Sequence, residues 1–162
     1  MAAPKTLVVF YSRSGTTRKV AEALAAELKC DAEELVPTES RASFFGILRS
    51  TLEAIRQRPA RIAATHRDPS SYDLVVIGTP VWAWSVSSPV RAYLMAKVGK
   101  LPDVAFFCTA GNTGDKGTFA QMQGLAGKTP SATAAFLMRD VTGGRFMPRL
   151  AEFAQALASP KA

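Results

Sequence analysis

Thr6-Leu7-Val8-Val9-Phe10-Tyr11-Ser12-Arg13-Ser14-Gly15-Thr16-Thr17 decides how this chain folds. Its first half is an unbroken apolar run, rich in β-branched and aromatic residues. Such a run does not alternate between a wet and a dry face. It suits a central parallel strand buried on both sides. The second half packs four hydroxyls, one glycine and one arginine into six residues. Directly after it, Val20, Ala21, Leu24, Ala25 and Leu28 recur at helical spacing, so a helix is expected from Thr17 to Lys29, with Thr16 or Thr17 as a cap.

The same alternation continues along the chain. Asp31–Val36 is a weaker strand candidate, ended by Pro37. Ser43–Arg58 reads as a second helix with Phe44, Leu48, Leu52 and Ile55 on one face. Asp73–Gly78 is the strongest strand signal after the first, and a loop from Thr79 to Ser88 is expected to follow it. Pro89 suits a first helical turn, and the helix should run to about Val98. Asp103–Thr109 predicts a fourth strand, and a glycine-rich loop, Gly111–Gly117, follows. A helix is expected over about Thr118–Leu125, a fifth strand over Thr133–Met138 and a closing helix over Met147–Ala158. The pattern is βαβαβαβαβα. It implies an α/β fold, a doubly wound five-stranded parallel sheet with helices on both faces. Five strands in 162 residues fit the order 2-1-3-4-5, as one domain over residues 1–162.

In such a sheet ligands bind outside the carboxyl ends of the strands, where the strand order reverses. That directs attention to the loops after strands one, three and four. In the first, Ser12–Thr17, unpaired amides at a helix start, the helix dipole and the hydroxyls suit a phosphate group. Gly15 lets backbone approach a ligand closely. Read alone, the loop fits a phosphate site and a plain Ser/Thr-rich cap equally well. The second, Thr79–Ser88, holds both tryptophans of the chain, Trp82 and Trp84. An indole there either stacks on a planar ring or covers the core or an oligomer contact. The third, Thr109–Gly114, is made of small residues that let amides face a ligand edge.

These three loops carry a resemblance. Ser12, Ser14, Gly15 and Thr17 match the flavodoxin family's phosphate-loop pattern T/S-x-T/S-G-x-T position by position. Tyr72–Trp82 resembles the family's third strand and first flavin-flanking loop, and Thr109–Gly114 resembles the second. The resemblance spans nearly the whole chain. It implies a flavodoxin-like fold and non-covalently bound FMN. The phosphate would lie on Ser12, Arg13, Ser14, Gly15, Thr16 and Thr17. The ring would lie between Pro80, Val81, Trp82, Ala83 and Trp84 on one side and Thr109, Ala110, Gly111, Asn112, Thr113 and Gly114 on the other. The flavin would carry the redox chemistry, so no side chain is expected to act as acid, base or nucleophile.

Two features depart from the family's electron carriers. Those tend to be strongly acidic, whereas this chain carries a net charge of +7. They often place a tyrosine in the loop after strand four, and here that loop has no aromatic residue. One ring face is then left open or meets a neighbouring subunit. Two roles follow from the resemblance: electron transfer with a redox partner protein, or FMN-dependent NAD(P)H oxidoreduction of quinones or similar small acceptors.

Other classes fit poorly. A receiver domain needs an acidic cluster after strand one and an aspartate ending strand three, where this chain has Tyr11-Ser12 and Thr79. A serine hydrolase lacks its GxSxG, and His66, the one histidine, lies in a polar stretch. Cys30 and Cys108 form no CxxC, so neither a zinc site nor a disulfide framework is expected. The densest positive charge lies between Arg41 and Arg67 and reads as a solvated face. Without an RNA-recognition motif or zinc-finger spacing, nucleic acid is not an expected partner. Apolar runs are too short to span a bilayer, and the expected location is the cytoplasm.

Overall fold

The computed structural model describes residues 2–38 and 61–159. The expected helix over Ser43–Arg58 lies outside the described residues, as do Arg41, Arg49, Arg56 and Arg58. Among the described residues six strands form one sheet: β1 (Thr6–Phe10), β2 (Asp31–Glu34), β3 (Leu74–Trp82), β4 (Ser85–Val86), β5 (Asp103–Ala110) and β6 (Thr133–Leu137). The parallel path runs β2-β1-β3-β5-β6, and β4 is added antiparallel to β3. Counted over the five parallel strands, this is the expected order 2-1-3-4-5. The helices are α1 (Thr16–Leu28), α2 (Ser88–Lys97), α3 (Asp115–Ala126), α4 (Met138–Thr142) and α5 (Met147–Ala158).

The unbroken apolar runs have the physical cause the sequence suggested. Every residue of β1 is buried. Successive side chains of a strand point to opposite faces, and here both faces are covered. Leu7 and Val9 join Val75, Ile77 and Phe106 in a cluster packed with Val90, Tyr93 and Leu94 of α2 and Met122 of α3. Val8 and Phe10 join Val76, Ala105 and Phe107 in a second cluster packed with Val20 and Leu24 of α1 and Leu150 and Phe153 of α5. The closing helix earns its place by spacing: Leu150, Phe153, Ala154 and Leu157 are its buried residues. Among the described residues no helix is long and apolar enough to cross a membrane.

Several boundaries differ from expectation, and β2 ends at Glu34 where a strand to Val36 was expected. β3 does not end at Gly78 but continues to Trp82, because Thr79 and Pro80 pair with Cys108 and Thr109 of β5 and Val81 and Trp82 pair with Val86 and Ser85. The expected loop over Thr79–Ser88 is therefore a hairpin followed directly by a helix. α3 starts at Asp115, three residues early, and Asp115 provides the acidic first turn that favours a helix start. Met138 opens the short helix α4 instead of ending a strand.

Both cysteines are free thiols, Cys108 buried and Cys30 half-buried. Burial pushes the Cys30 thiol up to about 11 and the Cys108 thiol up to about 12. An acid whose folded pKa is raised contributes stability that is whole below its unfolded pKa and is lost as pH rises through the folded value. At pH 8 both groups should therefore remain thiols in the native protein. A disulfide reagent at that pH is expected to titrate neither quickly in buffer and both in denaturant. Fast native labelling of Cys108 would show that its burial is not sustained in solution.

Candidate functional site

The carboxyl edge of the sheet brings the three loops together. Tyr11 still belongs to the strand-one ladder, its amide donating to the Gly78 carbonyl at 3.2 Å. The chain then turns through Ser12–Ser14 and enters α1 over Gly15. The Gly15 amide donates to Ser12 Oγ at 3.0 Å, which folds the loop back on itself. Gly15 has φ 98°, a left-handed conformation that glycine adopts without a steric penalty. No side chain caps α1. Its first amides thus face outward as donors, with the positive end of the helix dipole behind them. Ser14 and Thr16 are accessible, their hydroxyls 3.4 Å apart. Arg18 is drawn aside by Glu34, through a bidentate pair. Arg13 is exposed and stands 5.7 Å from the Trp82 ring.

The first loop is tied to the third. Thr17 and Thr109 are both buried, with their hydroxyls 2.8 Å apart. This bond links the first turn of α1 to the end of strand β5 across the sheet edge. Ala110 is buried at the end of β5, and Gly111, Asn112 and Thr113 are exposed beyond it. Gly114 then opens α3 at φ 105°, again without a side-chain cap. A Cβ at Gly114 would come within 2.8 Å of Val81 Cγ1 and 3.2 Å of Trp84 Cα. Glycine here lets α3 begin directly against the hairpin.

The two tryptophans have opposite fates. Trp82 is 7% exposed and lies edge-on to Tyr11, with ring centroids 5.4 Å apart. It covers the core, with Pro80 and Val81 partly exposed beside it. Trp84 is 70% exposed. It sits in the two-residue turn Ala83–Trp84 between β3 and β4, and its indole Nε1 reaches Thr113 Oγ1 at 3.4 Å. Val81, Ala83, Trp84, Gly111, Asn112 and Thr113 line a cavity of about 320 Å³. The structure thus gathers the second and third predicted loops around one opening and leaves Trp84, not Trp82, as its accessible indole.

Sequence reasoning missed three residues behind this opening. Ser85, Arg91 and Gln121 form a polar cluster under the hairpin. The one available signal was Arg91 itself, a charged residue within the buried stretch Ser88–Leu94.

Comparison with known proteins places the chain in a family. A search of curated proteins found no match. Among solved structures, the chain is similar to a flavoprotein in complex with FMN from Lactobacillus acidophilus, with 28% identity and a TM-score of 0.74 over 87% of this chain and 98% of that one. It shares its fold with the two-electron reduced flavodoxin of Megasphaera elsdenii, at 16% identity and a TM-score of 0.59 over 94% and 98% of the two chains. A flavodoxin, WrbA-like protein from Agrobacterium tumefaciens is also similar in fold, at 17% identity and a TM-score of 0.54 over 96% and 98%. A family model described as flavodoxin matches residues 5–134, the stretch from the start of β1 into β6 that carries all three loops, and the chain belongs to the flavodoxin family.

Proposed function

We propose that the chain binds FMN non-covalently and transfers electrons through it. The observation that carries this reading is the pairing of an uncapped helix start at Gly15 with a Trp84-lined cavity on the same sheet edge. The two halves suit the two halves of the ligand. A phosphate dianion needs donors and positive potential, which the start of α1 supplies through its free amides and Thr16, and the loop before it through Ser14 and the Arg13 guanidinium. A planar ring needs an apolar wall, which Trp84 supplies. The loop Thr109–Gly114 offers small residues whose backbone can approach the ring edge. The flavin supplies the one- or two-electron chemistry when bound. The residues of this chain bind it, orient it and limit water around it. The FMN complex of the Lactobacillus acidophilus relative supports the assignment.

Titration of the purified chain with FMN tests it. Flavin fluorescence should be quenched to a one-to-one endpoint. Tryptophan emission should fall with it, and Trp84→Ala should remove most of that second change. No change in flavin absorbance or fluorescence at excess protein would overturn the proposal.

A second reading has one observation in its favour. The loop Thr109–Gly114 has no aromatic side chain, and a Cβ at Gly111 would meet nothing within 4 Å. One ring face would then be open to a small hydride donor and a quinone, as an NAD(P)H oxidoreductase requires. Steady-state oxidation of NADPH or NADH with a quinone separates the two. Turnover supports the reductase; its absence supports a carrier serving a redox partner protein, for which the +7 net charge favours an acidic surface.

A further inference from the structure

The turn that presents Trp84 is strained. Val81 pairs with Val86 and Trp82 with Ser85, so Ala83 and Trp84 alone make the connection. Both have positive φ, 48° and 59°. Two-residue hairpins of this kind favour Asn-Gly, because residues with a Cβ are disfavoured in the left-handed region. Alanine and tryptophan are poor choices there. Such a conformation persists only where the surroundings over-determine it.

The surroundings are a clamp of three side chains. Gln121 Oε1 accepts from Ser85 Oγ at 2.7 Å, from the Val86 amide at 3.1 Å and from Arg91 Nη2 at 3.1 Å. Arg91 Nη2 also donates to Ser85 Oγ at 3.3 Å. One amide oxygen of α3 thus gathers donors from the hairpin and from α2. Gln121 lies seven residues after Gly114, about two helical turns, so both fall on the same side of α3. That helix grips the hairpin twice, at Trp84 through Gly114 and at Ser85 and Val86 through Gln121.

Arg91 is the unusual member. It is 5% exposed, and its Nε has no hydrogen-bond partner. Among the described residues no carboxylate pairs with it, and burial alone pulls its pKa below the ordinary range. A guanidinium stays charged even so. Burying a charge without a counter-charge is unfavourable. What it gives in exchange is a charge-assisted hydrogen bond, roughly twice as strong as a neutral one, to the oxygen that holds the hairpin.

We propose that Arg91 is a positioning residue for the ring site: acting through Gln121 and Ser85, it locks the Ala83–Trp84 turn in its strained form and so fixes how Trp84 stands against the flavin. This rests on the FMN reading above.

The test uses Arg91→Met, Gln121→Ala and the double variant Arg91→Met/Ala83→Gly in the full chain. FMN affinity, visible circular dichroism of the bound flavin and thermal unfolding are measured for each. Arg91→Met should weaken FMN by about tenfold and alter the flavin dichroism, the loss of one good polar restraint on the turn. Gln121→Ala, at a partly exposed position that keeps the fold, should do the same. Ala83→Gly should return most of the affinity to Arg91→Met, because glycine takes positive φ without strain. A purely structural role would lower the unfolding temperature and leave affinity and dichroism unchanged. Folded Gln121→Ala with wild-type affinity and dichroism would overturn the proposal while the FMN reading stands, as would failure of Ala83→Gly to rescue a folded Arg91→Met. Absence of FMN binding by the wild-type chain would overturn both.

Discussion

Replacing Gly78 with alanine is expected to destabilise the protein by about 3 kcal/mol, the upper end of what overpacking a core costs. Gly78 faces Phe107 across the β3–β5 ladder. A Cβ there would lie 2.1 Å from Phe107 Cζ and 2.5 Å and 2.6 Å from its two Cε atoms. The ring has no room to retreat. Phe107 is fully buried, with Phe136 and Phe153 edge-on at 6.2 Å and 6.5 Å. Urea unfolding of Gly78→Ala measures the cost. Adding Phe107→Leu should recover part of it, because the shorter side chain vacates the space, and a double-mutant cycle should show that coupling. A loss below about 1 kcal/mol would mean that the aromatic cluster repacks more easily than its burial implies.

The second large effect is on the ligand. Ser14→Glu is expected to weaken FMN at least about 100-fold, roughly 2.7 kcal/mol. Two like charges 4 Å apart near a protein surface repel by about 4 kcal/mol. The new carboxylate would also occupy the free amides of α1 itself. The unliganded fold should not suffer, because an acidic group at a helix start is stabilising by about 0.3–1 kcal/mol. Affinity and stability therefore move in opposite directions, which an unfolding defect cannot imitate. Riboflavin, which lacks the phosphate, supplies the control. Its binding should be nearly unchanged by Ser14→Glu. An equal loss for both ligands would place the phosphate somewhere other than the start of α1.

Much of this architecture was legible because burial writes itself into sequence. A central parallel strand has no polar face, so Leu7–Phe10 and Leu74–Ile77 read as unbroken apolar runs. Helices α1 and α5 bury one stripe, so their spacing read correctly. The loop proposed to hold phosphate reads from the sequence for a different reason: the chemistry expected of it is local, and six consecutive residues, Ser12–Thr17, would carry it. The hairpin was not legible. Pro80 looks like the end of a strand, yet β3 continues through it, as its partner β5 supplies pairing that propensity cannot foresee. Ala83–Trp84 carries none of the turn residues that announce a tight hairpin. Which tryptophan would face outward was equally hidden, since a strand extended by four residues decides which faces alternate. The clamp of Ser85, Arg91 and Gln121 joins three elements far apart in sequence, and no spacing rule connects them.

The hydroxyl pair of Thr17 and Thr109 has a consequence of its own. Two hydroxyls own two protons, and the bond between them consumes one. The hydroxyl that accepts keeps a proton with no partner among the described residues. The pair is symmetric in this respect, so its direction is a choice between two nearly equivalent arrangements. An oxygen that only accepts, such as that of a phosphate dianion against α1, would accept a hydrogen bond from the spare O–H and end the choice. Proton order at the junction of α1 and β5 would then be set by the ligand.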